Sequence, residues 1–146
     1  MNNEEIMTGV ELEIILKAGK ILLSSGAEIS RTEDTMNYIA RAMNFKDLEA
    51  YVSNRGIFAT AKKADGTEIT RICNVPEVDI NLSKIESVNA LSRRITQKNI
   101  TIDEIESELN QIDTMSDYSF FGRLVAYTLG ASGFSYAIGS SITDSI

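Results

Sequence analysis

The chain has no histidine, a single cysteine, Cys73, and a single proline, Pro76. Without histidine or a second thiol, a zinc site built on those ligands is excluded. So are an intrachain disulfide and a nucleophile activated by an imidazole. A reducing compartment fits this cysteine usage. Basic residues are also few: 14 Lys and Arg stand against 21 Asp and Glu, a formal charge of -7 and a pI near 4.6. That balance argues against nucleic acid, whose binding rests on cations neutralising phosphates. The first residues, "MNNEEIMTGVELEI", place acids where a secretory signal has lysines and then an apolar core. The N-terminal part is therefore expected to fold in the cytosol. There is no EF-hand loop and no phosphate-cradling loop, since the glycines at 130, 133 and 139 follow no strand.

What is present is an ordinary globular balance over 146 residues, 43% hydrophobic and 24% charged, enough for one core. Val10, Ile14, Ala18 and Ile21, widened by Ile15, Leu22 and Leu23, predict a well-buried helix over 8–25. Gly26 interrupts it, and Ile29, Met36, Ile39, Ala40 and Met43 predict a second helix over 28–43, completing a helical hairpin. "LEAYVSN" and "GIFATAKK" read as strands. Asp65-Gly66 between β-prone runs predicts a hairpin with a two-residue loop, which sets Lys63 opposite Glu68. Pro76 closes the sheet. Leu82, Ile85, Val88, Leu91 and Ile95 mark a third helix, and Ile102, Ile105, Leu109 and Ile112 a fourth. The order ααβββαα predicts an α+β layer with helices on one face of a small antiparallel sheet.

From Leu124 to Thr143 no residue is charged over 20 positions, between Arg123 and Asp144. A bilayer core of about 30 Å needs roughly 20 helical residues, so a first transmembrane span is expected here. Thr128, Ser132, Ser135, Gly139 and Thr143 form one small, polar stripe on such a helix, suited to close packing or a watery path. Asp144, at or inside the bilayer, is a candidate substrate ligand or proton carrier. A buried C-terminal helix of a soluble domain is the alternative, because small residues also serve close packing there.

"SSGAEISRTEDTM", residues 24–36, gathers three carboxylates, an arginine and five hydroxyls. Ser25-Glu28 and Ser30-Glu33 fit the capping-box spacing, as do Thr8-Glu11, Ser83-Glu86 and Thr101-Glu104, so Glu28 and Glu33 read first as helix caps. Arg31 and Asp34 belong to no box. No catalytic residue and no metal ligand is expected: Glu33 and Asp34 are adjacent and diverge by about a quarter-turn on a helix. No cofactor is implied.

Four blocks in order resemble the threonine/serine exporter family: "KAGKILLSSGAEISRTEDTM", "NRGIFAT" with the hairpin after it, "NLSKIESVNALSRRI", and "GFSYAIGSSITDSI" as a first transmembrane helix. Gly26, Ala27, Glu28, Arg31, Glu33, Asp34, Thr35, Gly56, Asn89, Arg93 and Asp144 carry the likeness. Gly139-Ser140 departs from the family's glycine pair. The resemblance implies a membrane exporter of threonine and serine, or of dicarboxylates such as succinate in two-component members, with no enzymatic role. It implies a cytosolic domain, residues 1–118, and a first transmembrane helix, residues 119–146, of a chain cut short of its further helices. Partners expected on that basis are a second membrane subunit or the missing helices, in a homo- or hetero-oligomer at the inner or plasma membrane, and a small-molecule substrate. Asp144, Thr128, Ser132 and Ser135 are then pathway candidates, and Arg31, Asp34, Glu28 and Glu33 gating or assembly candidates. The other reading is a soluble, small-ligand-binding or regulatory α+β domain, with its ligand between the hairpin and the sheet near Arg31, Asp34 and Arg55.

Overall fold

The computed structural model describes residues 3–115 and 120–137, with side chains from 6 to 115 and, in the last stretch, at 125 and 127–134. Two compact units emerge, Met1–Met115 and Ser116–Ile146. The first contains helices α1 (Asn3–Ser24) and α2 (Ile29–Ala42), strands β1 (Phe45–Ser53), β2 (Gly56–Lys63) and β3 (Glu68–Asn74), and helices α3 (Leu82–Thr96) and α4 (Ile102–Asp113). The expected α+β order is present, with the first helix starting five residues earlier than its apolar pattern, at Asn3 rather than Thr8.

The centre of this unit is α1. It touches α2, α3, α4, β2 and β3, so its apolar residues are needed on several sides, and Leu12, Ile15, Ile21 and Leu22 are all at most 2% exposed. Burying each such side chain contributes roughly 1.5–3 kcal/mol. Gly19 allows the closest approach: a Cβ there would lie 2.6 Å from Met36 Sδ and 2.9 Å from Ile57 Cδ1.

The sheet is antiparallel in the order β1-β2-β3. Alternation sends Ile57, Ala59 and Ala61 of β2 into the core, with Leu48 and Val52 of β1 beside them. On the other face Tyr51 meets Phe58 edge-on at 6.4 Å between centroids, and the Thr60 and Thr70 hydroxyls are 2.8 Å apart.

The β2–β3 hairpin corrects the expected register. Lys63 N–H donates to Thr67 O at 2.8 Å and Gly66 N–H to Lys63 O at 3.1 Å, which makes the loop three residues long. Gly66, at φ 93°, supplies the left-handed position, and Thr67 N–H donates to Asp65 Oδ1 at 2.8 Å, the turn-plus-bulge geometry of such loops. Glu68 consequently pairs with Lys62, at 3.8 Å. Lys63 points the other way, its ammonium 2.5 Å from the Glu11 carboxylate and 5.2 Å from the centroid of Phe45. Glu11 Oε2 makes no directed hydrogen bond, so that contact is ionic.

Helix capping also departs from expectation. Thr101-Glu104 is a capping box, with both reciprocal bonds formed. Thr8 and Glu11 instead lie inside α1, and Ser83 and Glu86 inside α3, whose N-cap is Asn81, accepting from Lys84 N–H. Glu28 occupies the N-cap position of α2 but its side chain makes no cap bond, and Glu33 lies within α2. Neither is a side-chain cap.

The α1–α2 turn is a Schellman motif: Gly26 N–H donates to Leu23 O and Ala27 N–H to Leu22 O, each at 3.0 Å, with Gly26 at φ 88°. The chain leaving β3 is stitched to this turn, because Asp79 N–H donates to Ser24 O at 2.8 Å and Asn81 N–H to Ser25 O at 3.0 Å. Helices α2 and α3 therefore start from one seam and pack against each other.

The second unit contains α5, Phe120–Ala137. Val125, Tyr127, Leu129 and Phe134 are 42–72% exposed on it. No helix among the described residues is long and apolar enough to cross a membrane. The span expected over 124–143 runs beyond Ala137, outside the described residues.

Candidate functional site

Helical spacing places Arg31, Asp34 and Thr35 on one side of α2, as residues i, i+3 and i+4. On α3, Ile85, Asn89 and Arg93 recur every fourth residue and form one stripe. These two stripes face each other across a cleft of about 330 Å³, floored by Leu22 of α1 and Ala27 of the turn. The size is at the lower end for small-ligand pockets, roughly 300–1,000 Å³.

Polar groups dominate its walls. Arg31, Asp34 and Arg93 are exposed, Asn89 is half-buried and Thr35 is buried. Among the described residues, none of the side chains of Arg31, Asp34, Asn89 and Arg93 forms a hydrogen bond or ion pair. Thr35 donates its hydroxyl proton to Arg31 O at 2.9 Å, which leaves its oxygen able to accept. Two guanidinium groups thus oppose one carboxylate in a protein whose net charge is -7. At the start of α2 the N-cap carboxylate of Glu28 makes no cap hydrogen bond, and the first turn carries no acid. Such a cleft can hold a carboxylate by paired N–H donors while offering one anionic contact.

Other candidates are weaker. A larger groove of about 580 Å³ runs past Glu33, Asn37, Tyr51 and Phe58, but its only charged lining residues are Glu33 and Glu49 and it is shallow. Arg55 lines a separate pocket with Asn74, Pro76 and Glu77, so it does not join Arg31 and Asp34. Cys73 is held as a thiol: burial pushes it up from its ordinary value, against the smaller opposing effect of Lys20. Among the described residues no three Cys, Asp or Glu side chains converge as a metal site.

Six of the eight residues around the α2–α3 cleft, Ala27, Arg31, Asp34, Thr35, Asn89 and Arg93, are positions that carry the family resemblance, drawn from two blocks far apart in sequence. A family profile described as "Putative threonine/serine exporter" matches residues 13–146. The chain belongs to the threonine/serine exporter family. No curated protein and no solved structure matches it. Family membership brings a transport function and a membrane location, and the family is one of exporters rather than enzymes.

The sequence-derived candidates of this exporter-family chain divide accordingly. Arg31 and Asp34 meet in the cleft, Glu33 lines the sheet-side groove, and Glu28 lies at the start of α2 in neither. Thr128 and Ser132 lie on α5, exposed and half-buried respectively. The Ser135 side chain and all of Asp144 are outside the described residues. Leu22 and Ile85 belong in sequence to apolar stripes, and nothing in their local sequence marks them as walls of a cleft.

Proposed function

We propose that the chain supplies the cytosolic domain, residues 1–118, and the first membrane helix, residues 119–146, of an exporter of small metabolites. Its cargo is threonine and serine, or dicarboxylates such as succinate. The remaining path comes from further transmembrane helices or a second membrane subunit. Asp144, Thr128, Ser132 and Ser135 face that path, while Arg31, Asp34, Glu28 and Glu33 serve gating or assembly from the cytoplasmic side of the inner or plasma membrane.

The observation supporting this reading is the family match over residues 13–146. Large apolar side chains exposed on α5, Leu129 and Phe134 at 68% and 70%, are consistent with it, since a helix in lipid or against other membrane helices keeps them out of water. Fractionation of cells expressing the chain tests the reading. Recovery in the membrane pellet, resistant to alkaline wash and released by detergent, is the expected result. A monodisperse soluble monomer would overturn the membrane assignment and leave the ligand-binding reading, which the α2–α3 cleft favours.

A further inference from the structure

We infer that the α2–α3 cleft is a binding site for a free α-amino acid, separate from any transport path, with the ligand carboxylate held by Arg31 and Arg93 and its ammonium by Asp34. The chemistry follows from what the cleft offers. Two unpaired guanidinium groups on opposite walls suit one carboxylate approached from both sides, and planar forks give that contact directionality. An inorganic anion or a simple carboxylate would leave Asp34 facing it as a repulsive charge. A zwitterion satisfies all three charges at once, because its ammonium stands a short distance from its carboxylate.

The remaining walls set the side chain accepted. Thr35 has a free acceptor, Asn89 carries both a donor and an acceptor, and Leu22 and Ala27 form an apolar floor. A volume of about 330 Å³ admits a whole amino acid, and the Thr35 oxygen and Asn89 amide favour a side chain that bears a hydroxyl over a purely aliphatic one. The binding site stands on this geometry. Its meaning, that the cytosolic domain senses the pool the exporter draws on, rests on the transport reading above.

Titration calorimetry on the full chain, purified in detergent, tests the assignment with L-threonine, L-serine, succinate and inorganic phosphate as probes. L-threonine and L-serine should bind, and both Arg93→Gln and Asp34→Asn should weaken them about tenfold or more, the effect of losing one charge-assisted contact. Arg94→Gln, one residue away, should leave the affinity unchanged. Circular dichroism on each variant establishes that the helices are intact, and Arg31→Lys, which keeps the charge but loses the fork, should bind more weakly than wild type. Absence of amino-acid binding overturns the inference, as does binding that survives both Arg93→Gln and Asp34→Asn. Succinate or phosphate binding that strengthens in Asp34→Asn while amino acids remain silent would replace it with a simple anion site. Amino-acid binding by a chain that fractionates as soluble would uphold the site and reject the transport reading, so the two failures are distinguishable.

Discussion

Arg93 and Arg94 are adjacent on α3 and meet different surroundings. Arg94 turns to α4, where its Nη1 donates to both carboxylate oxygens of Glu108, at 2.7 and 2.8 Å. Arg93 faces α2 across the cleft and has no partner among the described residues. The same contrast recurs where Lys62 and Lys63 pair with Glu68 and Glu11, while Arg31 and Asp34, one helical turn apart, have no partner among the described residues. Among the described residues Arg41, Lys46 and Arg55 form no ion pair either, so what marks the cleft is that two guanidinium groups and a carboxylate line one space. Paired charges hold elements together; the unpaired ones are available to something else.

Substitutions can sharpen or break that contrast. The largest effect is expected on ligand affinity: Arg93→Gln should cost about 1.5–3 kcal/mol of amino-acid binding by calorimetry, with folding stability by urea unfolding changed by less than about 0.5 kcal/mol. Equal loss of stability and affinity would mean that Arg93 is structural. Next, Gly26→Ala should destabilise the first unit by about 1–2 kcal/mol, because an L-residue at φ 88° is strained and its Cβ would sit 3.3 Å from Ile80.

Arg94→Gln should reverse the Arg93 pattern, lowering stability by about 1 kcal/mol or less, since its side chain is half exposed and water screens the pair, and leaving affinity untouched. The smallest effect concerns pH. Glu104 is held below its ordinary value near 4.5, first by the Thr101 backbone N–H and then by the Thr101 hydroxyl. Its folded state is depressed, so its contribution is complete above that ordinary value and disappears as pH falls through the lower folded one. Wild type and Glu104→Gln should therefore differ in urea midpoint near neutrality and converge in acid.

The layer order, and most of what lines the core, were legible in the apolar spacing, from Ile14 and Ala18 through Ile105 and Leu109. Arg31 and Asp34 stood out because no capping spacing absorbed them. Asn89 and Arg93 entered only through the family resemblance, and their meeting with α2 could not be read locally, since it depends on backbone bonds between 24–25 and 79–81, more than fifty residues apart. Capping boxes misled for a simple reason: Ser or Thr followed by Glu at the third position also occurs inside α1 and α3, where the amide donors are already satisfied. In the hairpin, Asp-Gly was correct as a turn signal, but Gly66 took the bulge position of a three-residue loop and moved every cross-strand partner by one.

The two bonds that tie the segment before α3 to the end of α1 and the turn after it give the cleft a fixed root. That root is held by backbone hydrogen bonds at 2.8 and 3.0 Å, while Arg93 lies in the last turn of α3 and Asp34 near the middle of α2. A ligand bridging Arg93 and Asp34 would add a tie between the two helices away from that root.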